Sequence, residues 1–303
     1  MEITRGLRHS KVAIIQYFRD KSAEYEIVAS RECGTDHKEK CKKMNTSLSH
    51  CRNEFITSVR QVAIEENWTK EELLESILMI TYCNYVVMLE TRNSIWAYEY
   101  MTFSRRIGEL WEPFCKLVFE YPINNLELII PPSFVEIKAK MERNVTQKID
   151  GLNISVEDKR ELLASYDAVW EMVTSGEIQM NLDLHFKIGE NKYVVDFKSG
   201  FGSNEKGNTN RLLLVAKIYH GLNDNYIPMI FVRSAENNHY FNTLRNSGIW
   251  RAYSGNATYD EIHRYSGYNI KHWIDNNIDW ENDLSAGFVQ HLRDNDLLQY
   301  LTW

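Results

Sequence analysis

The chain has 303 residues, a formal net charge of −7 and 44% hydrophobic residues, enough apolar material for one large core or two modest ones. The N-terminal stretch MEITRGLRHSK has no apolar signal region, and the longest nearly apolar run, Leu78 to Leu89, is interrupted by Thr81 and Asn84 and is too short to cross a bilayer. A soluble, cytoplasmic protein is the expectation, and the acidic balance gives no support to a nucleic-acid partner without excluding one.

The first hundred residues read as helical. Residues 8–28 carry a broken helical period, and Thr69 with Glu72 forms a capping box ahead of a long apolar stripe. A second aromatic-rich helix follows through SIWAYEYMTFSRRIGELWEPFCKLVFEY, kinked or restarted at Pro113. Five cysteines, odd in number and irregularly spaced, fit free thiols. Cys33, His37 and Cys41 make zinc conceivable, although no CxxC pair is present. After Pro122, NNLELIIPPSFVEI is halted by its paired prolines, and VEDKRELLASYDAVWEMVTSG reads as a helix with an acidic first turn and a stop at Gly176.

From residue 177 the order is hairpin, helix, strand, helix, strand, helix, which indicates a mixed α/β sheet covered by helices. A polar loop, GFGSNEKGNTN, joins the hairpin to a helix RLLLVAKIYHGL, and YIPMIFVRS reads as a buried strand. The chain reads as a single domain, 1–303: a helical N-terminal region (1–99), an α/β core (100–270) with an insertion at about 122–175, and an acidic C-terminal segment (271–303). From Lys271 onward, two basic and six acidic residues give that segment −4 of the total charge.

The hairpin NLDLHFKIGENKYVVDFKSG holds the chemistry. Asp183, Asp196 and Lys198 fall on one face by strand alternation. A two-residue turn at Gly189-Glu190 pairs Asp183 with Asp196, whereas a turn at Glu190-Asn191 pairs Asp183 with Lys198. Two neighbouring carboxylates repel unless a cation compensates them, and a hard ion such as Mg²⁺ meets that need. A bound metal acidifies its water and polarises a phosphoryl oxygen, the chemistry of phosphodiester hydrolysis. The competing reading is a surface hairpin carrying an ordinary cross-strand salt bridge.

Asp183, twelve intervening residues and then Asp196-Phe197-Lys198 resemble the signature of the PD-(D/E)xK nuclease superfamily. The resemblance implies a restriction-endonuclease-like core, a mixed central sheet flanked by helices in the order αβββαβ. It implies Mg²⁺ held by Asp183, Asp196 and the backbone carbonyl of Phe197, with Lys198 beside the attacking water. Gly108 and Glu112 match the Gly-x-x-x-Glu setting of a further family glutamate, with Glu109, Glu171 and Glu177 as alternatives. Leu182 stands where the family's proline would be.

A chain of this length without helicase or ATPase motifs is most similar to the type II restriction endonucleases. Likeness to them implies sequence-specific cleavage of double-stranded DNA by a homodimer in a prokaryotic cell, with no membrane and no nucleotide cofactor involved. Lys206 and Arg211 are then candidates for phosphate or guanine, and Asn204, Asn208 and Asn210 for adenine or the backbone. Two readings stay open beside it. One is a RecB-like exonuclease or repair nuclease, suggested by DFKSG, although Val215 stands where that group places glutamine. The other is a non-catalytic α/β interaction protein.

Overall fold

A computed structural model describes residues 2–174, 182–202, 205–222 and 224–303. Its helices and strands divide into two units, Met1–Asn125 with Tyr259–Trp303, and Leu126–Thr258.

The first unit is helical. It opens with α1 (Lys11–Cys33), α2 (His37–Glu65), α3 (Lys70–Ile95) and α4 (Tyr100–Glu120). The Thr69–Glu72 capping box starts α3 as expected, with both reciprocal bonds made. Length and composition alone would let α3 cross a membrane, but 83% of its most apolar window is buried inside the protein. Its residues from Ile77 to Leu89 are buried without a break, so α3 is a core helix apolar all round. The aromatic helix separates from α3 at residues 96–99 and then runs through Pro113 without ending.

The second unit carries the sheet. Its elements are β1 (Glu127–Leu128), α5 (Phe134–Asp150), α6 (Val156–Thr174), β2 (Leu184–Ile188), β3 (Asn191–Lys198), α7 (Lys206–Gly221), β4 (Tyr226–Val232), α8 (His239–Asn246) and β5 (Arg251–Ser254). The strands lie in sequence order, antiparallel from β1 to β3 and parallel from β3 to β5. The class is therefore mixed α/β with a five-stranded mixed sheet, as the element pattern predicts. One face of the sheet, through Val194, Ile230 and Val232, packs with Leu212, Val215 and Tyr219 of α7. Ile137 of α5, Trp170 of α6 and Phe241 of α8 complete that core.

Two elements differ from the sequence expectation. Behind the paired prolines lies α5, opened by a capping box between Ser133 and Glu136. The prolines end one element, but Ser-x-x-Glu immediately starts another. The other difference is α7, which begins at Lys206 rather than Arg211. Its first turn closes through Thr209 N–H donating to Glu205 carbonyl (2.8 Å), and Thr209 is buried there. Tertiary packing overrides the weak helix preference of Gly207, Asn208 and Asn210. The expected stop at Gly176 lies outside the described residues.

The chain enters the helical unit within α9 (Asn256–Ser266), and the acidic C-terminus adds α10 (Ile270–Asn277), α11 (Trp280–Asp283) and α12 (Ala286–Asp294) to it. Asp283 accepts from Tyr82 Oη at 2.6 Å and from Lys11 Nζ at 2.8 Å. Glu90 holds Arg19 at 2.7 Å and caps Ser285 N–H at 2.6 Å. Trp111 donates to Tyr259 Oη at 2.8 Å.

Candidate active site

The hairpin turns at Gly189-Glu190, with Ile188 opposite Asn191. Gly189 takes φ 57° while Glu190 is not left-handed, the requirement of a tight turn whose twist suits the flanking strands. This selects the first of the two registers. Leu184 faces Val195, and the same register carried back one residue sets Asp183 opposite Asp196.

Asp183 stands just before β2, where its Oδ2 accepts the Phe197 N–H at 2.7 Å. That bond ties the loop end of β2 to the strand carrying the other two residues. Asp196 is only 2% exposed, in a strand whose neighbours Val194 and Val195 are fully buried. Lys198 lies two residues on, on the same face, with Nζ 2.9 Å from Asp196 Oδ2. The contact is an ion pair at hydrogen-bond distance, and Oδ2 has no further aligned donor among the described residues. Burial raises the Asp196 carboxyl above its usual value, and the Asp183 charge adds to the rise, while Lys198 and Arg211 oppose it.

A residue assigned from sequence to the DNA contacts is part of this cluster. Arg211 Nη2 lies 3.6 Å from Asp196 Oδ1, reaching down from the second turn of α7. Its Nε and Nη2 donate to Asn208 Oδ1 at 3.4 and 3.3 Å, and Asn208 Nδ2 donates to Glu205 at 2.9 Å. A polar chain therefore runs from Lys198 through Asp196, Arg211 and Asn208 to Glu205. Its helical half depends on α7 starting at Lys206, ahead of the Arg211 start that composition suggests.

The other candidates are more dispersed. Lys206 and Asn210 are exposed on the first turns of α7. Glu112 belongs to the helical unit, on α4, paired with Lys116 at 3.3 Å, and Glu109 pairs with Arg105 at 2.6 Å. Glu171 is exposed on α6, whereas Asn204 and Glu177 lie outside the described residues. Cys41 is buried in an apolar cluster with Ala29, Met44 and Ile95, and burial raises its thiol.

Among the described residues, no three His, Cys, Asp or Glu side chains gather as a ready-made metal cage. The donors present are two carboxylates and the main chain, all hard oxygens. Mg²⁺ is commonly held by one or two carboxylates with water and substrate phosphate supplying the rest. Asp196, buried beside Asp183 and with Lys198 on Oδ2, is the kind of carboxylate such an ion would share. The donor set fits a hard divalent cation.

No family model, no curated protein and no solved structure matches the chain.

Proposed function

We propose that this chain is a Mg²⁺-dependent deoxyribonuclease of the PD-(D/E)xK kind, hydrolysing double-stranded DNA at a short specific sequence as type II restriction endonucleases do. The observation that carries the reading is Asp196, a buried carboxylate set beside Asp183 and Lys198 at the end of an apolar strand. Burying Asp196 beside a second carboxylate is costly, and a bound hard cation would offset that cost. The fold adds support: β1, β2 and β3 pair antiparallel in that order, and β4 lies parallel to β3 after α7, compatible with a restriction-endonuclease-like core. The expected αβββαβ order has no helix between its first two strands, whereas α5 and α6 stand between β1 and β2 here.

In this reading Asp183, Asp196 and the Phe197 carbonyl hold the metal, and Phe197 N–H fixes one oxygen of Asp183. The metal, when bound, supplies an acidified water and charge compensation on the phosphate. Lys198 orients the attacking water and stabilises charge developing on the phosphate oxygens. Arg211 shares the charge of Asp196 from α7. Lys206 and Asn210 are placed to meet the DNA backbone or bases. Cutting both strands of a symmetric site calls for a homodimer acting inside the cell.

The test is digestion of long unmethylated phage DNA by the purified protein, with Mg²⁺ and with chelator. Discrete fragments that need the metal support the reading. Trimming from the ends would transfer it to a RecB-like exonuclease. Intact DNA with Mg²⁺ and Mn²⁺ across a range of salt would leave the hairpin with an ordinary ion pair and sink the proposal.

A further inference from the structure

The chain leaves β3 at Lys198 and leaves β4 at Val232, its parallel neighbour. Beyond these strand ends the two exit segments stay joined. Arg233 N–H donates to the Lys198 carbonyl at 2.9 Å, and Ser234 N–H donates to the Ser199 carbonyl at 3.0 Å. The segments lie so close that a Cβ at Gly200 would stand 3.2 Å from the Cβ of Ser234. Gly200 is what lets them run side by side.

Two asparagines of the β4–α8 loop then grip the β3 exit. Asn237 Oδ1 accepts the Phe201 N–H at 2.9 Å, and its Nδ2 donates to the Ser234 carbonyl at 2.7 Å. The side-chain amide suits both tasks, because it accepts at oxygen and donates at nitrogen. Asn238 N–H donates to the Phe201 carbonyl at 3.4 Å, and Asn238 Nδ2 donates to the Gly202 carbonyl. The Phe201 ring is buried and packs 5.8 Å from Phe241 of α8. Phe201 is therefore fixed at its N–H, its carbonyl and its ring.

This clamp lies between the two cations of the candidate site. Lys198 precedes it and Arg211 follows it on α7, 2.9 and 3.6 Å from the two oxygens of Asp196. The helix begins at Lys206, four residues beyond Gly202, so the anchored exit governs where α7 starts. We propose that Asn237 is a positioning residue of this site: by holding Phe201 on the β4–α8 loop, it sets the approach of α7, and with it Arg211, to Asp196. It acts through the backbone of Phe201 and not on the metal or the DNA. Misplacing a reacting arrangement by about 1 Å can cost on the order of 100-fold in rate, so one such anchor is felt in the chemistry. The inference rests on the nuclease reading and adds to it a residue outside both the hairpin and α7.

The experiment compares the wild-type full chain with Asn237→Ala, Asn237→Asp, Arg211→Gln and the Asn237→Ala/Arg211→Gln double variant. The readouts are metal-dependent DNA cleavage resolved into kcat and KM, Mn²⁺ affinity by calorimetry, and amide hydrogen exchange without metal. Asn237→Ala should speed exchange at Phe201 and Thr209 by about tenfold or more, while the β2–β3 pairing stays protected. A global loss of stability would open both regions. In the same variant kcat should fall about tenfold or more, with KM and Mn²⁺ affinity held within about twofold, because Asp183 and Asp196 lie ahead of the clamp. Asn237→Asp keeps an acceptor for the Phe201 N–H and should regain part of the lost kcat. The loss in the double variant should be smaller than the product of the two single losses, since both changes act on one contact. Losses that multiply in full overturn the inference, and so does loss of Mn²⁺ binding in Asn237→Ala. Wild-type cleavage that Asn237→Ala leaves intact sinks the inference alone. A wild-type chain that cuts no DNA with any metal fails at the nuclease reading and takes this inference with it.

Discussion

Arg211 on α7 and Asp196 on β3 approach to 3.6 Å, so the buried carboxylate is met by one cation from its own strand and another from the helix packed above it. Lys198 arrives through the strand's two-residue repeat, Arg211 through the helix following the hairpin. The pair ties the site to the sheet–helix interface, where Val194 and Ile230 pack against Val215 and Tyr219. Any movement of α7 on the sheet changes the charge balance around Asp196.

Asp196→Asn should trade stability against activity. Burial raises this carboxyl above its ordinary 3.8. The folded state therefore prefers it protonated. Its contribution to stability is fully present below the unfolded value and is lost as pH rises through the folded value. At neutral pH the ionised group weighs against the fold. The Asn variant should melt a few degrees higher at pH 7.5, with the gain shrinking toward pH 4. In the proposed enzyme it should lose more than about 100-fold in cleavage, since even the partners of metal ligands cost 10- to 100-fold. Thermal melts across pH, run beside cleavage assays, check both. A lower melting temperature at neutral pH would mean that the ion pairs outweigh burial.

Two substitutions at Asp183 separate its structural bond from its charge. Asp183→Asn keeps an oxygen for the Phe197 N–H and should change stability little. Asp183→Ala leaves that N–H without its acceptor and should cost about 1–2 kcal/mol in urea unfolding. Both should abolish metal-dependent cleavage. Retained activity in the Asn variant would remove Asp183 from the metal's ligands.

Lys198→Met keeps the length and apolar stem of the side chain and deletes its charge. Cleavage should fall by about 10²- to 10⁴-fold, the range for a positioned proton-transfer or charge-stabilising group. Mn²⁺ binding, followed by calorimetry, should persist because Lys198 is not a ligand. Loss of Mn²⁺ binding would reassign Lys198 to building the cation site.

In the helical unit, Asp283→Ala should cost about 1.5–3 kcal/mol, measured by chemical unfolding, because it removes the carboxylate shared by Lys11 and the Tyr82 hydroxyl and leaves Lys11 only its bond to the Asn277 carbonyl among those described. Tyr82→Phe removes only one of the three bonds to Asp283 and should cost about 1 kcal/mol. Equal costs for the two variants would show that Lys11 contributes nothing to holding the C-terminal helices.

The site's hairpin was legible because its signals are local: strict alternation, a glycine able to turn left-handed, and charges two residues apart on a strand. Those signals left two registers open, and the conformation of Gly189 decides between them. The Arg211 contact was not legible, since it depends on a helix starting five residues earlier than its composition suggests. The helix α5 carried a readable Ser133-x-x-Glu136 cap that the adjacent Pro131 and Pro132 masked. The acidic C-terminus gave no local hint of its place, because its anchors, Lys11, Arg19, Tyr82 and Glu90, are remote in sequence.

The two-residue turn also sets an order of events. β2 and β3 meet across a minimal loop, so their pairing can close within microseconds, whereas pairing Leu128 with Phe186 closes a much longer loop that contains α5 and α6. Asp183 and Asp196 are thus brought together by the fastest-closing part of the sheet. Arg211 joins them only when α7 docks. The hairpin carries its own first counter-charge in Lys198, and Arg211 adds a second from outside it.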